Sequence, residues 1–329
     1  MKTIVKIEIA ILILLLLTVA GLALADGNLL FDPVIAERDP VPVPTESTAP
    51  TDTQTIPTIH MSFTPPVLSR TITAAKYFAY DIREEVYLVK KGDGAEKLYP
   101  ASITKLLTAY VALQYLQPED TLVVGDALSL VQEGSSIAGL AEGDRLTTAQ
   151  LVAAMLLPSG NDAAQTVAVA AGRAMTGNDS LSCTDAVDVF VDEMNRQAKE
   201  IGMLNSHFVN PDGYHNDNHY TTMDDLVVLC QKVLANSMIL NCTSQTQYTV
   251  ELPGRTLEWK NSNHLLDETL ETYLPNAIGL KTGYTGKAGN CLVSALFMED
   301  RIWLIGVFGC PEQTEDRYLD TIAIYEALL

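Results

Sequence analysis

Asn290-Cys291-Leu292-Val293-Ser294-Ala295-Leu296-Phe297 and, four residues on, Ile302-Trp303-Leu304-Ile305-Gly306-Val307-Phe308 decide the fold class. Both are apolar, strand-like runs, and a third run over residues 277–281 precedes them. Short Gly, Asp and Lys turns join the three, too short for a crossover helix, so they read as an antiparallel meander. Two further strands are expected near the start, over residues 75–81 and 85–89, around a turn at Ile82-Arg83-Glu84. Between these blocks the apolar period changes to that of helices. Leu106, Leu107, Tyr110 and Val111 mark one, stopped by Pro118. Leu151, Val152, Met155 and Leu156 mark a second, with Thr148 expected as its cap and Pro158 as its end. An Ala-rich helix capped by Asp162 is expected to about residue 174. Others are expected over residues 185–201 and from Thr221 and Asp224 to about residue 234, and a last one covers 315–329. Strands, a helical block, strands and a helix make an α+β protein: an antiparallel sheet flanked by helices, with an inserted helical subdomain.

The N-terminus has a different composition. Lys2 and Lys6 precede an apolar run from Ile9 to Leu24, and Ala23-Leu24-Ala25 offers a small-x-small cleavage site. Residues 1–25 therefore read as a signal peptide or as an uncleaved N-terminal membrane anchor. Either puts the remainder outside the cytoplasm, secreted or held at the outer face of the membrane, because the lysines lie before the run and acids after it. Residues 26–67 are rich in Pro and Thr and read as an extended linker. Residues 68–329 form the expected catalytic domain. The formal net charge of −20 argues against a nucleic-acid partner. The five cysteines contain no Cys-x-x-Cys pair. His215 and His219 lie four apart, but in an Asn-, Asp- and Gly-rich stretch that does not read as a helix, so no metal is expected.

The chemistry gathers around Tyr99-Pro100-Ala101-Ser102-Ile103-Thr104-Lys105. Residues i and i+3 of a helix share a face, so Ser102 and Lys105 can meet in one pocket. A serine is a weak nucleophile until a neighbour takes its proton, and a lysine can do so when burial or a second cation lowers its pKa. Lys281-Thr282-Gly283 supplies that cation and a hydroxyl. Gly283 leaves the strand open for a ligand lying along it. Ser159-Gly160-Asn161 adds a hydroxyl and an amide at a helix junction. Such a set suits acyl transfer, with backbone N–H groups holding the oxyanion. Lys105 is expected to be neutral at rest, because Lys281 and a dry pocket disfavour its charge.

Ser-x-x-Lys, Ser-Gly-Asn and Lys-Thr-Gly, in that order, resemble the motifs of penicillin-binding proteins and serine β-lactamases. The wider text, with Leu156-Leu157-Pro158-Ser159-Gly160-Asn161-Asp162-Ala163-Ala164, Asn210-Pro211-Asp212-Gly213, His219-Tyr220-Thr221-Thr222 and Lys281-Thr282-Gly283-Tyr284-Thr285, is similar to the D-alanyl-D-alanine carboxypeptidases. The resemblance implies that Ser102 is acylated, Lys105 is its base, Ser159 relays a proton and Lys281 holds the Lys105/Ser159 network. It implies that Asn161 contacts the peptide, that Thr282 and Arg317 receive the terminal carboxylate, and that the N–H groups of Ser102 and Tyr284 form the oxyanion hole. It also implies peptidoglycan stem peptides as substrates, β-lactam antibiotics as inhibitors and no cofactor. Many members continue into an all-β domain and an amphipathic membrane helix. Here the chain stops at Leu329, so any membrane attachment is expected from the N-terminus alone. The rivals are a β-lactamase, for which no Glu-x-x-Leu-Asn pattern is present, a DD-endopeptidase, and a non-catalytic wall-binding protein.

Overall fold

The structure, a computed structural model, describes residues 68–298, 300–311 and 315–329. The segments read as signal or anchor and as linker lie outside the described residues.

Five strands form one antiparallel sheet. They are β1 (Lys76–Asp81), β2 (Val86–Lys91), β7 (Ala277–Thr285), β8 (Gly289–Met298) and β9 (Arg301–Cys310), in the order β2-β1-β9-β8-β7. The first hairpin and the closing meander thus join in one sheet, as expected. The register pairs Val293 with Gly306 and Gly306 with Phe78. Gly306 lacks a side chain because the Phe78 ring fills that space; a Cβ there would lie 2.5 Å from the ring.

The apolar runs lack alternation because both faces of the sheet are covered. Cys291, Val293 and Ala295 of β8 enter the main core under the helical block. Leu292 and Leu296 enter a second core with Ile305, Val307, Tyr318 and Ile324, under the C-terminal helix α7 (Asp316–Glu326). Asp320 of that helix ties down the start of the domain. Its buried carboxylate accepts from the N–H groups of Thr73 and Ala74 and from the Thr73 hydroxyl, at 2.8–2.9 Å.

The helical block has α1 (Thr104–Ala112) at its centre, buried on nearly every side. Around it lie α2 (Thr148–Leu156), α3 (Asn161–Thr176), α4 (Cys183–Ile201), α5 (Met223–Leu234) and α6 (Ser237–Thr243). Two cap assignments change. The cap of α2 is Thr147, not Thr148, in a reciprocal capping box with Gln150. Asp162 lies within the first turn of α3 and does not cap it. Its carboxylate accepts from the N–H groups of Ala138, Gly139 and Leu140 and so pins a neighbouring loop. Helix α6 and the hairpin β5 (Gln247–Leu252) to β6 (Arg255–Lys260) had no expectation in the sequence, although Pro253-Gly254 marks the hairpin turn. A short pair, β3 (Thr121–Val123) and β4 (Arg145–Thr147), lies between α1 and α2.

Helices α3 and α4 touch at Gly172. A Cβ there would lie 2.0 Å from the carbonyl oxygen of Ala186. In an open helix Gly→Ala gains about 1 kcal/mol. Overpacking a tight contact costs about 1–3 kcal/mol. At 2.0 Å from backbone the second effect wins, so Gly172→Ala should lower Tm by a few degrees. A Tm equal to or above the parent's in thermal unfolding would show that the two helices separate freely.

Candidate active site

Ser102 lies on a single 3-10 turn (Ala101–Ile103) that runs into α1. Residues i and i+3 eclipse in such a turn, which brings Lys105 Nζ to 2.8 Å from Ser102 Oγ. Ala101 enters the turn at φ 48°, in the left-handed region, and Ser159 stands at φ 67°. Strain of this kind persists only where surroundings over-determine the backbone, and it gathers at functional sites. Two glycines supply the surroundings. A Cβ on Gly213 would lie 1.9 Å from the Ala101 carbonyl oxygen. One on Gly283 would lie 2.9 Å from the Pro100 carbonyl oxygen and 3.2 Å from Ser102 N. Gly283 therefore serves first to let strand β7 close on the serine turn; the sequence reading had assigned it to leaving room for a ligand.

Lys105 is fully buried and has three acceptors: Ser102 Oγ at 2.8 Å, Asn161 Oδ1 at 2.7 Å and the Asp212 carbonyl at 2.7 Å. An ammonium has three donors, so each is used. Burial pushes its pKa down to about 8, against the upward pull of the Asp212 and Asp162 carboxylates. Lys281 is also buried, but its Nζ donates only to the carbonyl and hydroxyl of Thr282, at 3.1 and 3.4 Å. Its pKa falls well below the ordinary lysine value, through burial first and then through Lys105 and Arg317. The expectation of a neutral Lys105 is therefore corrected. Of the two buried amines, Lys105 has the full set of acceptors, which favours its ammonium form, whereas Lys281 has fewer acceptors and two cations nearby, which disfavour its charge. When Lys105 loses its proton near pH 8, its lone pair can accept from the Ser102 hydroxyl, which reverses that hydrogen bond.

The other expected residues fall around the same opening. Ser102, Ser159, Asn161, Thr282, Gly283, Tyr284 and Arg317 line one cleft of about 580 Å³. Asn161 holds Lys105 through its Oδ1 and donates from Nδ2 to Ser135 Oγ at 2.9 Å, so its amide is engaged by the protein itself. Ser159 Oγ is buried without a hydrogen-bond partner. The chain from Lys281 through Ser159 to Lys105 is thus not closed by direct hydrogen bonds. Thr282 Oγ1 meets Ser262 Oγ at 2.6 Å. Arg317, in the first turn of α7, reaches the Gly283 carbonyl at 3.4 Å and packs over the Tyr318 ring.

Sequence reasoning missed Ser135, Ser262 and the carbonyl of Asp212. Asn210-Pro211-Asp212-Gly213 was singled out by its resemblance, but the direction of one carbonyl in this turn was not legible. Within that turn the Asp212 carboxylate accepts from Gln165 Nε2 at 2.8 Å and Tyr214 N at 2.7 Å. His215 and His219 do not share a helix. Among the described residues, no group of three or more His, Cys, Asp or Glu is placed to hold a metal.

If Lys105 is the proton acceptor, the rate of Ser102 acylation should rise with pH through about pH 8, as the free amine forms. Asp212→Asn removes a charge that favours the ammonium, so the rise should move to lower pH. A stopped-flow pH profile of acylation checks this, and a rise that stays put or moves upward would exclude Asp212 from setting the base.

The sequence pattern of the D-alanyl-D-alanine carboxypeptidase family matches residues 61–308. The chain is 28% identical over 225 residues to the D-alanyl-D-alanine carboxypeptidase DacF of Bacillus subtilis, covering 67% of this chain and 53% of the relative. It is 32% identical over 230 residues to a D-alanyl-D-alanine carboxypeptidase of Mycobacterium tuberculosis, covering 68% of this chain and 71% of the relative. It thus spans between about half and about seven tenths of the length of these two curated relatives. Among solved structures, a Streptomyces DD-transpeptidase superposes with a TM-score of 0.71 at 29% identity, covering 80% of this chain and 99% of that one. With the α+β sheet, the Ser102–Lys105 pair and the Lys281-Thr282-Gly283 strand in one cleft, the match over most of its length makes this chain a member of the D-alanyl-D-alanine carboxypeptidase family.

Proposed function

We propose that the protein removes the terminal D-alanine from peptidoglycan pentapeptide stems through an acyl-enzyme on Ser102. One observation carries the reading: a buried Lys105 Nζ at 2.8 Å from Ser102 Oγ, with Ser102 itself lining a cleft that also has Arg317 on its wall. The Ser102 Oγ bond to the acyl carbon forms as the peptide C–N bond breaks. The hydroxyl proton passes to Lys105 and on to the leaving amine of D-alanine. The N–H groups of Ser102 and Tyr284 hold the developing oxyanion, and donors fixed there in advance favour the transition state over the ground state. Ser159 Oγ, free of protein partners, is available to the leaving amine. Water then attacks the ester and restores Ser102. Names of the relatives support a terminal D-alanine substrate, and the Streptomyces neighbour's name makes an amine acceptor the second possibility for this step.

The same acyl transfer would bind benzylpenicillin at Ser102. One adduct should appear by intact mass and map to the peptide containing Ser102, and it should be absent in Ser102→Ala. An adduct that persists there would exclude Ser102 as nucleophile. Hydrolysis of a stem peptide should release free D-alanine. A product joined instead to added glycine or D-amino acid would make transpeptidation the main reaction, and cleavage inside cross-links would make the protein an endopeptidase.

The N-terminal apolar run supports a place outside the cytoplasmic membrane, with the protein released or held by its N-terminus.

Arg317 and Thr282 are proposed to receive the terminal carboxylate, and a guanidinium suits a carboxylate through charge-assisted hydrogen bonds. Arg317→Ala should lower kcat/KM for peptides ending in D-Ala-D-Ala by roughly ten- to a hundred-fold, in line with the loss of one charge-assisted contact. A peptide with an amidated end should be a poor substrate for the parent and nearly indifferent to the change. Equal use of acid and amide ends by the parent would refute the clamp.

A further inference from the structure

His219 is 2% exposed and has no part in the proposed chemistry. Its Nδ1 lies 3.2 Å from the N–H of Val209. A backbone amide only donates, so Nδ1 accepts and carries no proton. The ring proton is then on Nε2, which lies 2.8 Å from Thr104 Oγ1. Thr104 Oγ1 accepts from the ring and sends its own proton to the Ala101 carbonyl, also at 2.8 Å. Each bond in this chain has one possible direction. Burial pushes the imidazole pKa down to about 3, helped by His207, His215 and Lys105, so the ring stays neutral.

The chain ends on the peptide that precedes the nucleophile. The Ala101 carbonyl and the Ser102 N–H belong to one planar, trans unit, so the direction of the oxygen sets the direction of the N–H. Ala101 stands at φ 48°, a conformation an alanine leaves unless held. Gly213 limits the carbonyl by contact; Thr104 holds it by a directed bond.

We infer that His219, acting through Thr104, fixes the orientation of the Ala101–Ser102 peptide and so aims the Ser102 N–H at the oxyanion. Both are positioning residues. This inference rests on the proposed acylation of Ser102. A misdirected donor harms the transition state, where the oxygen carries charge, more than the bound ground state.

Thr104→Val keeps the shape and removes the hydroxyl; Thr104→Ser keeps the hydroxyl. Acylation of the full chain by benzylpenicillin is followed to separate the non-covalent dissociation constant from the limiting acylation rate. Thr104→Val should lower the limiting rate by roughly 10- to 100-fold, the scale of a misplaced catalytic group, with the dissociation constant within about three-fold of the parent. Thr104→Ser should restore the rate to within about three-fold. Gly172→Ala, remote from the site, should lower Tm without lowering the limiting rate, which separates aim from general loosening. Independently, the imidazole nitrogen resonances of the parent should show His219 neutral and protonated on Nε2. A Thr104→Val rate equal to the parent's, an equal fall in Gly172→Ala, or a proton on Nδ1 would each overturn the inference. A parent that takes up no adduct would refute the proposed function, and a Thr104→Val protein that does not fold would remove the kinetic comparison. If Thr104→Val does not fold, Thr104→Ala takes its place in the same comparison, and a proton on Nδ1 overturns the inference in every case.

Discussion

The fully buried Lys105 ammonium organises the molecule. Removing such a charge from water costs several kcal/mol even after relaxation, and the cost is met only when every donor finds an acceptor. Here the acceptors come from three separate segments: Ser102 from the turn before α1, Asn161 from the start of α3 and the Asp212 carbonyl from the turn before α5. None can drift without leaving a buried donor empty. Supports stand behind each acceptor. Gln165 and Tyr214 N hold the Asp212 carboxylate, and Ser135 holds the far side of the Asn161 amide. Asp162 binds three consecutive N–H groups of the loop that follows Ser135 and Ser136. A requirement of one cation thus reaches through several layers of the helical block.

The second constraint is close backbone approach. The serine turn carries a left-handed alanine, and its carbonyls lie against Gly213 on one side and Gly283 on the other. Neither approach survives a side chain. Strand β7 can come so close because it belongs to a sheet covered on both faces, whose position is set by two cores at once. The sheet thereby fixes the Thr282-Gly283-Tyr284 side of the cleft, and Ser102, Ser159, Asn161 and Gly213 line it from the helical block.

Electrostatics divides the labour between two amines of one residue type. Lys105 and Lys281 are both fully buried, yet they differ in what surrounds them. Lys105 faces three oxygen acceptors and two nearby carboxylates, while Lys281 faces Thr282 and two other cations. These surroundings favour the ammonium form of Lys105, whose pKa of about 8 lies close to neutral pH. The positive charge of Lys105 in turn disfavours a charge on Lys281, and no direct hydrogen bond through Ser159 joins the two amines.

The sequence by itself determined the elements and the cast of residues. Apolar runs over 290–297 and 302–308, joined by a short turn, read as strands of an antiparallel meander, and period, caps and prolines marked most helices. Ser102, Lys105, Ser159, Asn161, Lys281 and Thr282 were legible because their local patterns are short and unusual together. The hairpin β5–β6 and helix α6 were not, since marginal periods in short segments are settled by what they pack against. Tertiary structure alone decided which lysine has a full set of acceptors, that Asp212 contributes a carbonyl, that Asn161 is engaged by Lys105 and Ser135, and that Gly283 and Gly213 clear space for backbone. Each depends on distances of a few ångströms between segments remote in the chain. Hydrogen-bond direction and desolvation act over that range, and residue order does not encode it.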